Sequence, residues 1–185
     1  IDTSTIFLSK TIKAPVLISS MTGGTEEGNR INHRLAIAAE KFGIPMGVGS
    51  QRIDLQNGNN LDGKEIRRIA QGIPLYANLG AVQLNYSMDA SHCQRAVDLI
   101  NGDALILHLN PLQEVLQPEG QSNFEGLLAK IAEICRSIRV PLIVKEVGWG
   151  ISVEIAEKLI DAGVSCIDVA GAGGKTLGLS AAHLG

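Results

Sequence analysis

Four residues in the run ALILHLNPLQE could do chemistry together: His108, Asn110, Gln113 and Glu114. Ala104–Leu109 is apolar, lies between Asp103 and Pro111, and reads as a buried strand that ends in a polar cluster. Glu114 is a hard oxygen ligand of the kind that holds Mg²⁺. Gln113 does not titrate, but its amide can both donate and accept hydrogen bonds. His108 beside an anion would be protonated. The plainer alternative for a lone histidine is a satisfied core residue. In a parallel α/β fold the carboxyl ends of the strands are where ligands bind.

Other apolar runs end in candidates of their own. After APVLIS come Ser20-Met21-Thr22-Gly23-Gly24, where glycines and a hydroxyl let the backbone approach a flat ring; an ordinary turn with a helix cap reads the same way. Ser50-Gln51-Arg52 follows the second run. Its arginine can pair bidentately with the oxygens of an anion and Ser50 can hydrogen-bond a ligand, or else Arg52 is a solvated loop residue. Asn78, in YANLG, offers both a donor and an acceptor to a ligand, or serves as a turn asparagine. Lys145 follows an apolar run in VPLIVKEVG and is hard to bury without an anion. Pairing with Glu146 or with a carboxylate on a neighbouring strand is the alternative. Gly171–Gly174 could cradle a ring or phosphate with backbone N–H groups, though one glycine-rich loop is a weak signal.

These motifs sit on a repeat. Apolar runs begin at Pro15, Ile44, Pro74, Ala104, Pro141 and Ser165, and end at Ser19, Val48, Asn78, Leu109, Val147 and Ala170. Helical patterns at Asn29–Phe42, Ser91–Leu99, Gly126–Ile138 and Ser152–Ala162 lie between them. Three runs open on proline, which suits a first strand residue, and Gly43 and Gly163 stand where helix C-caps belong. A β/α repeat of about 30 residues with near-continuous apolar strands predicts a parallel sheet. No Gly-x-Gly-x-x-Gly follows the first strand, which weakens a dinucleotide-binding reading. Polar motifs on successive strand ends favour an eight-unit barrel over an open sheet. Six units are visible where eight are expected, which predicts a chain that is either short at both ends or missing pieces. The text after Gly174 is too short for two more, which points to a discontinuity near 174–175; Asp54–Asp62 could hide another.

The chain has 185 residues, 45% of them hydrophobic, which fills one core. Net charge is −3, and no Lys/Arg run or basic-aromatic interleaving appears, so nucleic acid is not expected as a partner. No apolar stretch approaches the roughly 18 residues of a membrane span, and no secretory leader is visible. Cys93, Cys135 and Cys166 are scattered without metal spacing, as in a reduced, cytoplasmic protein.

The runs APVLISSMTGGT, GIPMGVGSQR, YANLGAVQL, ALILHLNPLQE, VPLIVKEVGWGIS and IDVAGAGG closely resemble type 2 isopentenyl-diphosphate isomerase, over about Ile1 to Gly174. The resemblance implies a (β/α)8 TIM barrel forming a single FMN-binding domain over 1–185. It implies an enzyme of isoprenoid biosynthesis that interconverts isopentenyl and dimethylallyl diphosphate. Reduced FMN would serve acid–base rather than net redox chemistry, with NADPH as reductant and Mg²⁺ holding the diphosphate. Ser20, Met21, Thr22, Ser50, Asn78, Lys145, Gly173 and Gly174 would contact FMN. Ser50, Gln51, Arg52, His108, Asn110 and Gln113 would contact substrate, with Gln113 and His108 catalytic and Glu114 on the metal. A homo-oligomer, tetramer or octamer, is implied as well. The family's N-terminal Arg-Lys diphosphate segment and its last two strands are not within these residues, and Lys175-Thr176 stand where the family has Thr-Ser. The rival reading is an FMN barrel oxidoreductase of the hydroxy-acid oxidase or glutamate-synthase type.

Overall fold

The computed structural model describes residues 1–57 and 61–171. These fall into two compact units: Ile1–Leu79 with His92–Ile106, and Gly80–Ser91 with the described residues from Leu107 onward.

The first unit opens on a hairpin that the sequence did not signal: β1 (Thr5–Phe7) pairs antiparallel with β2 (Lys10–Ile12). Leu8 and Ser9 form its turn with φ of 46° and 63°. Such two-residue turns favour Asn-Gly, so Leu-Ser there hides the hairpin from pattern reading. Helix α1 (Glu26–Phe42) has every local support. Thr25 caps it by accepting from Gly28 N at 3.0 Å, Glu26 and Glu27 face the positive end, and Lys41 the negative end. It stops at Gly43, whose φ of 66° is left-handed, as the C-cap expectation required. Its buried face is narrow (Gly28, Asn32, Ala36 and Ala39), which lets the helix approach its neighbours closely.

Strand β3 (Met46–Gly47) pairs in parallel with β4 (Leu75–Gly80), Met46 opposite Leu75. The expected strand Pro15–Ser19 is reduced to one parallel bridge, Ile18 to Met46. Val16 N turns back to Ala14 O at 2.8 Å, which removes that N–H from any ladder. Helices α2 (Arg52–Asn57) and α3 (Leu61–Ile69) occupy a stretch that the sequence reading left blank. The proposed gap at 54–62 lies partly outside the described residues, and the one near 174–175 wholly outside them. Helix α4 (Ala90–Ile100) buries Cys93, Ala96, Val97 and Ile100.

Away from the candidate site, Arg67 of α3 ties three elements together. It donates to the carbonyls of Ile100, Ala70, Ile73 and Asn101 and to Asp103 Oδ2, at 2.8–3.2 Å. Asp103 also accepts from Leu75 N at 2.9 Å and pairs with Lys10 at 3.2 Å. Burial alone would raise this carboxyl, but the Leu75 N–H and Arg67 outweigh it and hold it below the usual carboxylate range.

Strand β5 (Ala104–Leu109) has the limits the sequence predicted; its residues from Leu107 are counted with the second unit. There follow α5 (Pro111–Leu116), α6 (Leu127–Ser137), β6 (Leu142–Glu146), α7 (Val153–Asp161) and β7 (Cys166–Asp168). Strands β6 and β7 are parallel, with Lys145 opposite Asp168. Ser152 caps α7, accepting from Ile155 N at 3.3 Å. All five residues of β6 are buried, as expected of a strand covered on both faces. The described chain is thus α/β with parallel strands and intervening helices. None of its helices is long and apolar enough to cross a membrane, and none of its cysteines forms a disulfide.

Candidate functional site

In the first unit two loops are pressed together. A Cβ on Gly49 would overlap the carbonyl oxygen of Thr22, and one on Gly23 would meet the backbone of Gly49 and Ser50 at 3.1 Å. The Ser20–Gly24 loop therefore lies directly on the Gly49–Ser50 loop, an approach only glycine permits. Ser20 is buried beside Gly47, and its Oγ has no hydrogen-bond partner among the described residues. Met21 is exposed and Ser50 half-buried. Thr22 is tied down by a residue the sequence reading missed. Asn32, buried in α1, donates to Thr22 O at 3.1 Å, and Thr22 Oγ1 reaches Asn32 Oδ1 at 3.4 Å. A polar residue in the middle of a helix gave no signal of this role.

Gln51 is placed differently from expectation. It is 3% exposed, donates through Nε2 to Ala96 O at 3.0 Å, and accepts at Oε1 from Asn78 N at 3.0 Å. Its side chain is turned into the unit as a brace, whereas Arg52, next in sequence, is exposed at the start of α2. Asn78 is buried in β4. The structure thus brings Ser20, Met21, Thr22, Ser50, Gln51, Arg52 and Asn78 onto the carboxyl ends of neighbouring parallel segments.

In the second unit, His108 is half-buried at the end of β5, and its ring lies against Gly80: a Cβ there would come within 3.2 Å of Nε2. Its pKa is pushed down to about 4, first by burial and then by the charge of Lys145. The protein by itself therefore keeps this imidazole neutral, and the protonated form expected from sequence requires an added anion. Asn110 is buried and donates to Glu114 Oε1 at 2.8 Å, and its Oδ1 has no partner among the described residues. Its reach to Gln113 Oε1 is long, at 3.5 Å. Glu114 Oε2 accepts from Gln121 N at 2.6 Å, so the carboxylate is held at both oxygens. The chain after α5 folds back tightly enough that a Cβ on Gly120 would overlap the Glu114 carbonyl. Gln121 was not anticipated, and its backbone role leaves no trace in sequence.

Lys145 is 3% exposed and donates to the backbone carbonyl of Glu146 at 2.8 Å. Burial lowers its pKa, opposed by the charges of Asp168 and Glu146. The carboxylate of Glu146 does not pair with it directly. Glu146 Oε2 accepts instead from Val147 N, Gly148 N and Trp149 N at 2.6–2.7 Å. Asp168, opposite Lys145 on β7, is a neighbouring-strand carboxylate of the kind the sequence reading allowed for without naming it, and accepts at Oδ1 from Ala170 N at 3.1 Å. Gly173 and Gly174 lie outside the described residues.

Among the described residues no group of three or more His, Cys, Asp or Glu could hold a metal ion. Glu114 nonetheless retains lone pairs beyond its two accepted bonds, so it suits a cation that draws its other ligands from a bound anion. Within the first unit, a glycine-only approach beside a serine hydroxyl without a partner among the described residues suits a flat ring; within the second, the buried ammonium of Lys145 suits an anion.

Over 176 residues the chain is 56% identical to the isopentenyl-diphosphate delta-isomerase of Rickettsia prowazekii (strain Madrid E), a match covering 95% of this chain and 52% of that protein. The protein of the same name from Rickettsia typhi (strain ATCC VR-144 / Wilmington) is 55% identical over the same spans. This chain is similar to isopentenyl-diphosphate delta-isomerases. It spans about half the length of those relatives. No family model matches it. Among solved structures, a mandelate oxidase variant with a monooxide FMN adduct has a TM-score of 0.63 at 17% identity, covering 90% of this chain and 50% of that one. A soluble mutant of the membrane-associated (S)-mandelate dehydrogenase from Pseudomonas putida has a TM-score of 0.64 at 16% identity, covering 90% and 53%. Those two likenesses are of fold alone.

Proposed function

We propose that the chain carries six units of the (β/α)8 barrel of a type 2 isopentenyl-diphosphate isomerase. In this reading it uses reduced FMN and Mg²⁺ to interconvert isopentenyl and dimethylallyl diphosphate. The observation that carries the reading is the cluster after β5, in which one pinned carboxylate stands among neutral polar groups, in a chain 56% identical to proteins named for that activity. An oxidase of 2-hydroxy acids has no evident use for a lone metal-type carboxylate there.

Reduced FMN supplies acid–base chemistry at the alkene; the remaining work is done by side chains. In the second unit, Glu114 holds Mg²⁺ on the diphosphate, Asn110 and the Gln121 N–H fix that carboxylate, and Gln113 and His108 orient the substrate. Burial is the larger cause of the low His108 pKa and Lys145 the smaller, so an arriving diphosphate raises that pKa by offsetting the Lys145 charge and adding its own negative charge beside the ring. Lys145 balances negative charge on the ring. In the first unit, Ser20, Met21, Thr22, Ser50 and Asn78 form ring contacts and Arg52 a phosphate contact, while Gln51 braces that loop. Remote binding of the diphosphate positions the alkene. NADPH as reductant, a homo-oligomeric state and a cytoplasmic location belong to the same reading.

The test is turnover of isopentenyl diphosphate by the flavin-loaded, photoreduced protein with Mg²⁺, with product and NADPH followed together. Dimethylallyl diphosphate formed without net NADPH consumption is the expected result. Flavin reduction by a 2-hydroxy acid, with no isomerisation, would overturn the proposal in favour of the oxidoreductase reading that shares this fold.

A further inference from the structure

Two adjacent buried charges end β6, and only Lys145 has a role so far. Glu146 is 4% exposed, and one of its carboxylate oxygens collects three consecutive backbone N–H groups, from Val147, Gly148 and Trp149. Charge-assisted bonds of this kind are roughly twice as strong as neutral ones. Together they wind the chain leaving β6 around the carboxylate and so fix the plane of the peptide that carries the Glu146 carbonyl. That carbonyl accepts from Lys145 Nζ at 2.8 Å. A lysine side chain has four rotatable bonds and holds no fixed position without such an anchor.

We infer that Glu146 is a positioning residue: its wrapped carboxylate sets the carbonyl to which Lys145 is anchored, and so aims the ammonium at an anionic ligand. The inference rests on the flavin reading for the identity of that ligand. Among the described residues of the second unit, three charged or titratable groups face the ammonium: Asp168 opposite it on β7, Glu146 beside it on β6, and His108 on β5. Glu146 and Asp168 both favour the charged lysine, so loss of either charge moves its titration downward.

The test compares wild type with Glu146→Gln, Glu146→Asp and, as reference, Lys145→Ala. The titration midpoint of Lys145 is read without flavin, by trace acetylation with acetic anhydride across pH and peptide mapping. FMN affinity and thermal melting are measured on the same samples. Glu146→Gln should lower the Lys145 midpoint and weaken FMN about tenfold, the change in an equilibrium that one pKa unit represents. Glu146→Asp keeps the charge on a shorter arm. It should leave the midpoint near wild type yet weaken FMN by a similar factor, because the carbonyl moves. A purely structural Glu146 would lower the melting temperature while FMN affinity and the Lys145 midpoint stayed at wild-type values in both variants, and that result overturns the inference. A wild-type protein that binds no FMN overturns the flavin reading itself. It is told apart from failure of the anchor because the lysine midpoint is measured without flavin.

Discussion

Gln51 and Asn78 hold each other twice. Gln51 N donates to the Asn78 carbonyl at 2.9 Å, and Asn78 N donates back to Gln51 Oε1 at 3.0 Å. With Nε2 on Ala96 O at 3.0 Å, one buried glutamine joins the loop after β3, strand β4 and helix α4. Gln51→Leu keeps the bulk but removes both side-chain bonds, to the Ala96 carbonyl and from the buried Asn78 N–H. A loss of about 2–3 kcal/mol is expected. Denaturant unfolding monitored by circular dichroism measures it. A glutamine serving only substrate would instead lower substrate affinity at unchanged stability.

Gly49→Ala tests the contact between the two glycine loops. The added methyl would overlap Thr22 O, and both partners are backbone, so one loop must move. Overpacking of this sort costs about 1–3 kcal/mol. Movement of the Ser20–Gly24 loop would strain the tether that Asn32 makes to Thr22. Flavin affinity should fall more steeply than stability, as read by fluorescence titration beside thermal melting. Equal affinity in variant and wild type would detach this loop from the ring.

The fold was legible where burial dictated residue type. Strand β5 is apolar on both faces and starts and ends where the run Ala104–Leu109 does. Helix α1 announced itself by Gly43 and its amphipathic spacing, although its first turn was missed. Hairpin β1–β2 was not legible, because its turn uses Leu8 and Ser9 where the favoured residues would be asparagine and glycine. At the site, residue types identified which side chains stand at strand ends but not which way they are used. Gln51 and Arg52 looked equally available, yet one is 3% exposed and bonded inward while the other is exposed. The braces Asn32, Glu146 and Gln121 work through backbone bonds, two of them across 7 to 10 residues of chain, and backbone partners leave no mark on residue type.

Asn110 and Glu114 should separate under substitution. Glu114→Gln removes the charge a hard cation needs, so Mg²⁺ dependence is lost while flavin stays bound. Asn110→Ala leaves the carboxylate but frees its Oε1 from the 2.8 Å bond, which should weaken Mg²⁺ about tenfold without abolishing it. Manganese binding followed by electron paramagnetic resonance in the presence of diphosphate gives both constants. Identical binding by both variants and wild type would remove the pair from the metal site.

Acid should act on this protein through His108. Its pKa is about 4 in the folded chain, against an ordinary value of 6.5. Unusually for histidine, the folded value is depressed, so between those two values the unfolded chain binds a proton that the native state refuses. Stability from this group is intact above pH 6.5, declines as pH falls through the window, and levels off below about 4. The gap is worth at most about 3 kcal/mol, and less because the ring is half-buried rather than enclosed. His108→Asn should therefore flatten the decline between pH 6.5 and 4 in urea-unfolding midpoints. Diphosphate should have the opposite effect on wild type from mild acid, stabilising it more at pH 5 than at pH 7.5, because an anion beside the ring lets the folded state take up the proton it otherwise excludes. Parallel pH profiles for wild type and variant, with no pH-dependent rescue by diphosphate, would show that another group controls acid stability and that His108 does not meet the anion.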